Sequence, residues 1–281
     1  MATKLNDIKN TISVILPIHE LPNEKSLELF KNALTSVAKQ TVCVEELIIV
    51  YPKGSDVAKI IKDYDFSLFD KSEGDDEYKT AVVLLEHDEK TDFCSQVNYG
   101  VSKAPSDWIS ILEFDDEYSL TWFKNVNTYI EAHGDVEIFL PIVVDTNEAG
   151  QFIGLTNEAS WANSFSDELG FLDNGALLTY QNFNIDGVVM KKELFETFGG
   201  FKSNIKLTFI YEFLLRMTFK DVRTMIIPRF GYKHMNQRVG SLFSGYKDEM
   251  TPVESNWWLA QAKKEYYFKT ERDITYEEIT D

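Results

Sequence analysis

Cysteine is nearly absent from this chain. Cys43 and Cys94 are its 2 cysteines, and their separation fits no thiolate metal spacing, so a cysteine-built metal site is excluded. Two thiols in a chain with no secretory signal point to a reducing compartment, each as a buried core residue. Long apolar runs are missing as well. Runs such as residues 12–17 and 47–51 fall far short of the ~20 residues that span a bilayer. Residues 1–7 lack the apolar segment of a secretory signal, and no Asn-x-Ser/Thr sequon occurs, so the expected location is cytoplasmic, with no membrane span. Basic charge is scarce: 28 Lys and Arg face 46 Asp and Glu, for a net charge of −18. Such a chain offers no broad basic face to a phosphate backbone, so duplex nucleic acid is not an expected partner. A small phosphate-bearing substrate stays open, because a metal and a few cations can handle a diphosphate locally.

With 44% hydrophobic and 26% charged residues in 281, the chain reads as soluble and globular, one large domain or a domain with an appendage. Residues 11–17 (TISVILP) and 46–51 (ELIIVY) have the length and β-branching of buried strands. Between them Leu27, Phe30, Leu34 and Val37 recur at helical spacing, with Asn23 or Ser26 as cap. A second helix starts at Ser55, a third strand covers 80–85, and Asp92 caps a short helix. This alternation argues for a mostly parallel sheet flanked by helices, an α/β class. Residues 70–77 read as a solvated acidic loop. Residues 136–144 form another apolar strand. Residues 145–184, rich in Asn, Gly and Ser, carry scattered aromatics without periodicity, as functional or mobile segments do. Residues 231–241 form a basic loop, and Thr251-Pro252-Val253-Glu254 is a capping box opening a last helix.

The fourth strand, Trp108 to Leu112, ends in Glu113-Phe114-Asp115-Asp116-Glu117. Carboxylates gathered at the end of a buried strand suit a hard cation that needs oxygen ligands. They also lie where α/β sheets bind ligands, outside the carboxyl ends of the strands. The plain alternative is a surface turn of an acidic protein.

The order of motifs resembles the family-2 glycosyltransferases, over roughly residues 11–245. Residues 13–20 (SVILPIHE) resemble that family's first strand and nucleotide-contacting turn. Asn98-Tyr99-Gly100 with residues 108–116 resembles its "RNxG" and "FLDxDD" segments. Residues 188–201 resemble "RRExFExxGGF", residues 211–216 the end of "EDxDLxLR", and Tyr232-Lys233-His234 with Ser241-Leu242 its "YRxHxxSLS" loop. Each motif is short, but five in the right order are jointly specific.

The resemblance implies a GT-A fold, Rossmann-like, with a glycosyltransferase domain over 1–245 and a helical extension over 246–281. Residues 1–118 would be the donor-binding half and 119–245 the acceptor side. It implies a hexosyltransferase-type enzyme that moves a sugar with inversion from a nucleotide-diphosphate sugar, UDP-sugar favoured, to an acceptor hydroxyl on a carbohydrate or other molecule. The cofactor would be Mn²⁺ or Mg²⁺, bridging the leaving diphosphate as a Lewis acid. The metal set carried over is Glu113, Asp115, Asp116 and His234, with Asp115 foremost and Asp116 alternatively a helix-preceding cap. Pro17, His19, Glu20, Asn98, Asp115, Lys233 and Arg238 would contact the donor, although His19 also reads as a plain turn residue. The general base that deprotonates the acceptor would be Glu212, at the start of an apolar helix, with Asp186 in reserve; Glu212 also reads as an ordinary first-turn residue. Trp161 and Tyr180 would face the acceptor. Pairing of the last helix with a second copy stays open.

The chain departs from the family pattern in four places. Tyr51-Pro52-Lys53-Gly54-Ser55-Asp56 replaces "DDGSxD", which removes an acidic contact to the base. Glu113 replaces the first Asp of the D-x-D, Phe209-Ile210 stands where the family has "ED", and Gln96 replaces the arginine of "RNxG". These departures keep a second class open, a non-catalytic carbohydrate- or nucleotide-binding module. Nucleotidyl transfer is disfavoured, since no Gly-rich, Lys-containing nucleotide loop is present.

Overall fold

The structure, a computed structural model, describes residues 10–70, 79–88, 92–236, 238, 241, 250–264 and 266. The acidic loop and Leu242 of the last motif lie largely or wholly outside them. Strand β1 (Ile12–Pro17), helix α1 (Glu24–Ala38), β2 (Glu46–Pro52), α2 (Asp56–Lys62), β3 (Ala81–His87), α3 (Phe93–Lys103) and β4 (Trp108–Ile111) build the first half. Then come β5 (Glu117–Tyr118), α4 (Trp122–Ala132), β6 (Ile138–Thr146), β7 (Phe152–Thr156) and α5 (Asn174–Thr179). The chain continues with β8 (Val189–Lys191), α6 (Glu193–Phe198), α7 (Phe209–Phe219), β9 (Thr224–Met235) and α8 (Pro252–Lys263). Among the described residues no helix is long and apolar enough to cross a membrane.

The strands form one sheet in the order β3-β2-β1-β4-β8-β6-β9-β5, with β7 also on β6. β3, β2, β1 and β4 run parallel, which explains why β1 is buried along its whole length and reads as a continuous apolar run. Helices cover both faces. Phe30, Leu34 and Val37 of α1, Ile61 of α2 and Trp122 and Phe123 of α4 pack on one face; Val97 of α3 and Phe213 and Leu214 of α7 pack on the other. Gly100 lets α3 sit close on the sheet: a Cβ there would lie 2.6 Å from Ile15 Cγ2 and 3.0 Å from Val50 Cγ2. At the head of α1 the cap is Asn23, and Ser26 reciprocates from the third helical position.

Two expectations change. The basic loop at 231–241 begins as strand, since β9 continues through Met235 along β6, with Asp145 opposite His234 and Thr146 opposite Met235. Residues 145–184 are also more ordered than their composition implies. Buried Asn157, at φ +72°, ties the segment's two ends together: its Nδ2 donates to Pro141 O (2.9 Å) and Asn184 O (3.0 Å), and its Oδ1 accepts from Asn184 N (2.9 Å). Trp161 serves that packing, because its Nε1 donates to Ile226 O (3.0 Å) and Gly170 (φ +84°) lies against its ring. Tyr180 is exposed and packs edge-on against Phe165 and Phe183.

Helix α8 packs back on the domain. Thr208 Oγ1 donates to Trp258 O (2.9 Å), Lys263 Nζ to Leu178 O (3.2 Å), and Ala262 and Tyr266 are buried.

Candidate metal centre

Past β4 the chain turns tightly, with Asp116 N–H donating to Glu113 O (3.2 Å), and enters the two-residue strand β5. There Glu117 pairs with Lys233 and Tyr118 with Tyr232 on β9. This pairing sets Asp116 against His234. Asp116 is almost fully buried; its Oδ1 accepts from Met235 N (2.8 Å) and its Oδ2 lies 3.0 Å from His234 Nδ1. Asp186 arrives from the turn before β8, with Oδ2 3.6 Å from the same Nδ1 and 2.5 Å from Asn184 Nδ2. Gly187 holds that turn at φ +70° against the face of Tyr232, where a Cβ would come within 2.6 Å of the ring, and Trp122 Nε1 donates to Gly187 O (2.9 Å). Tyr232 in turn accepts from Glu113 N (3.0 Å). Asp116, Asp186 and His234 each offer a ligand atom, all within 4.8 Å of one another.

Electrostatics set this cluster apart. Burial pushes the Asp186 carboxyl up to about 7, with His234 opposing and Asp116 and Asp145 adding to the rise. Glu113 is held well above the carboxylate range by burial and then by Asp116, Asp186 and Asp115. Burial and Asp116 raise Asp115 against the pull of Arg238; burial raises Asp145 against Thr156 and His234. Burial alone would lower His234, but Asp116 and Asp186 outweigh it and hold the imidazole well above its ordinary value. Five acids thus surround His234 and Arg238, an excess of buried negative charge that a divalent cation would neutralise.

The sequence-derived site residues divide. Asp116 and His234 lie together with Asp186, so the central place passes from Asp115 to Asp116. Asp115 instead accepts from Arg238 Nε (2.5 Å), whose guanidinium lies 4.9 Å from the Phe114 ring centre. Glu113 stands beside the cluster, outside the group of three. Pro17 is buried at the end of β1, and His19 and Glu20 are exposed in the turn after it.

Lys233 is a correction. Side chains alternate along β9, so it points away from His234 and its ammonium pairs with Glu117 (2.9 Å). Asn98 is another: its Nδ2 donates to Phe201 O and its Oδ1 accepts from Phe201 N, both at 2.9 Å, so its amide is spent on the chain. Glu212 is a third. Its carboxylate is buried under Arg216 (Nε and Nη2, each 3.1 Å), Lys202 Nζ (2.9 Å) and the Tyr266 hydroxyl (3.1 Å). Arg216 also donates to Phe198 O, Gly199 O and Gly200 O. All four contacts lie within the protein, and through them Glu212 joins α7 to Lys202, Tyr266 and Arg216, as a structural hub.

Sequence reasoning missed Asp145. It is the next-to-last residue of strand β6, is buried, and accepts from Thr156 Oγ1 (2.8 Å). The signal was present: an acid closing an apolar run, the same pattern that marked Glu113 to Asp116.

No curated protein matches this chain. Among solved structures it is similar to Staphylococcus aureus TarS, at a TM-score of 0.56 and 14% identity, over 92% of this chain and 44% of TarS. The chain thus spans less than half the length of that protein. TarS 1-349 in complex with UDP-GlcNAc gives a TM-score of 0.58 at 15% identity, over 92% of this chain and 73% of the other. The complex with UDP gives 0.54 at 14%, over 93% and 73%. At such identities the likeness is one of fold, the GT-A arrangement. The family model described as glycosyl transferase family 2 matches residues 13–185, and with the motifs and sheet order above, the chain belongs to that family.

Proposed function

We propose that this protein is a metal-dependent, inverting glycosyltransferase working in the cytoplasm. It moves a sugar from a nucleotide-diphosphate sugar, UDP-sugar favoured, to an acceptor hydroxyl. The observation that carries this reading is the Asp116–Asp186–His234 cluster at the carboxyl edge of the sheet in a family 2 chain. The complexes of TarS with UDP-GlcNAc and UDP support the choice of donor class.

Buried carboxylates with one imidazole suit Mn²⁺ or Mg²⁺, ions commonly held by one or two protein ligands plus phosphate oxygens. Asp116 and His234 would hold the ion, which supplies Lewis-acid stabilisation of the departing diphosphate. The chain's own residues do the rest. Arg238, now on Asp115, carries a guanidinium suited to phosphate oxygens. Pro17, His19 and Glu20 border the nucleoside. Asp186, its carboxyl near 7 and steadied by Asn184, takes the proton as the acceptor oxygen attacks. Tyr180 offers an exposed ring to a sugar face, on the segment that leads into Asp186.

Incubation with UDP- and GDP-sugars and Mn²⁺ tests this reading. Asp116→Asn is expected to lose both Mn²⁺ binding and donor turnover, and Asp186→Asn to keep Mn²⁺ binding while losing transfer. Donor binding without turnover by the wild type under every donor would make the chain a non-catalytic binding module. The apolar Phe209-Ile210, where the family carries acids, is the observation favouring that second reading.

A further inference from the structure

Gln96 is 1% exposed, one turn into α3, with its side chain at the carboxyl ends of the parallel strands. Its amide donates from Nε2 to Ile18 O (3.1 Å). A flipped amide would set oxygen against oxygen, so the far atom is Oε1, which has no hydrogen-bond partner among the described residues. Oε1 is not one of the fully enclosed unpaired atoms, so this unused acceptor is open to a ligand or to water.

The surroundings are short of donors. Strand alternation places Pro17, Pro52 and His87 at the strand ends on the α3 face, following Ile15, Val50 and Leu85. Pro17 and Pro52 carry no N–H. The Ile18 N–H is spent on Val50 O (2.8 Å) and the Lys53 N–H on His87 O (2.7 Å). The His87 ring lies flat on Tyr99, with centroids 4.5 Å apart. Because β1 pairs with β4, a nucleotide whose diphosphate sits at Asp116 extends its base over these strand ends.

Resting on the donor-site reading above, we infer that Gln96 is the base-selecting residue and that its Oε1 accepts the ring N–H of uracil or guanine. Cytosine and adenine would turn a ring-nitrogen lone pair toward that oxygen. Uracil and guanine also carry a carbonyl beside the N–H, for which exposed Lys53 and His19 offer donors at the same rim.

The test is calorimetric binding of UDP, GDP, CDP, ADP and pyrophosphate, each with Mn²⁺, to wild type, Gln96→Leu and Gln96→Glu. Wild type is expected to bind UDP or GDP about 10- to 100-fold more tightly than CDP and ADP, the two arms deciding between uracil and guanine. Gln96→Leu should erase that ratio, whereas Gln96→Glu, which as the neutral acid can donate to Ile18 O and keeps the outer acceptor, should preserve the order. Unchanged pyrophosphate binding certifies that each variant is folded. Equal binding of CDP and UDP by wild type, or a ratio untouched in Gln96→Leu, overturns the assignment while leaving the donor site standing. Failure of every diphosphate to bind overturns the donor-site reading, and the assignment with it.

Discussion

Replacing Glu212 by Ala separates two roles for one carboxylate. As a hub, Glu212 joins α7 to the Gly199-Gly200 turn through Arg216, and to the end of the chain through Tyr266. Breaking a buried charge network by removing one partner costs about 3–5 kcal/mol. Here the low end applies. Arg216 keeps its three carbonyl acceptors, and Lys202, with 35% of its side chain exposed, can turn to water. What is lost is the counter-ion of the buried Arg216 guanidinium and the bond from the Tyr266 hydroxyl to Glu212 (3.1 Å). About 3 kcal/mol corresponds to a fall in Tm of roughly 6–12 °C for a chain of this size. The assay pairs thermal unfolding with UDP release from a UDP-sugar, measured well below the variant's Tm. The expected result is the lower Tm with little change in rate per folded molecule. A Tm loss worth under ~1 kcal/mol, with the rate down by about 10²–10⁴ as loss of a general base would give, would refute the hub argument and restore Glu212 as base.

Three further outcomes follow from the site. Asp186 and His234 both bind protons more tightly folded than unfolded, so both stabilise the metal-free protein at acid pH and lose that contribution as pH rises, Asp186 through about 7. The metal-free Tm should therefore fall from pH 6 to pH 8 while the rise produced by Mn²⁺ grows, since a proton on His234 competes with the ion for the imidazole; a Mn²⁺ effect larger at pH 6 counts against the cluster. Gly187→Ala forces a Cβ to within 2.6 Å of the Tyr232 ring at φ +70° and should cost at least ~2 kcal/mol while weakening Mn²⁺ binding, read by unfolding and calorimetry. Lys233→Ala removes an exposed pair with Glu117, so it should cost under ~1 kcal/mol and leave UDP affinity with Mn²⁺ unchanged; a marked loss of affinity would return Lys233 to the phosphates.

Much of the fold was legible because local signals agreed with one another. The apolar runs at β1 and β2, the helical spacing of Phe30, Leu34 and Val37, and the Thr251 capping box each describe what the structure contains. Residues 145–184 were misread because their order is not periodic. It comes from Asn157 bonding across 27 residues to Asn184, and from Trp161 reaching Ile226. The basic loop was misread because polar Lys233 and His234 hide a strand whose pairing with β6 is long-range.

By itself the sequence determined the α/β alternation and the acid-tipped fourth strand, because both depend on neighbours in the chain and on which residues avoid water. Only the tertiary structure decided which acids work together. Asp116, Asp145, Asp186 and His234 come from four separate segments and meet through strand pairing, whereas Asp115 is drawn off to Arg238, Lys233 to Glu117 and Glu212 to Arg216. A carboxylate's role depends on which charges lie within a few ångströms of it, and that distance is set by the packing of the sheet.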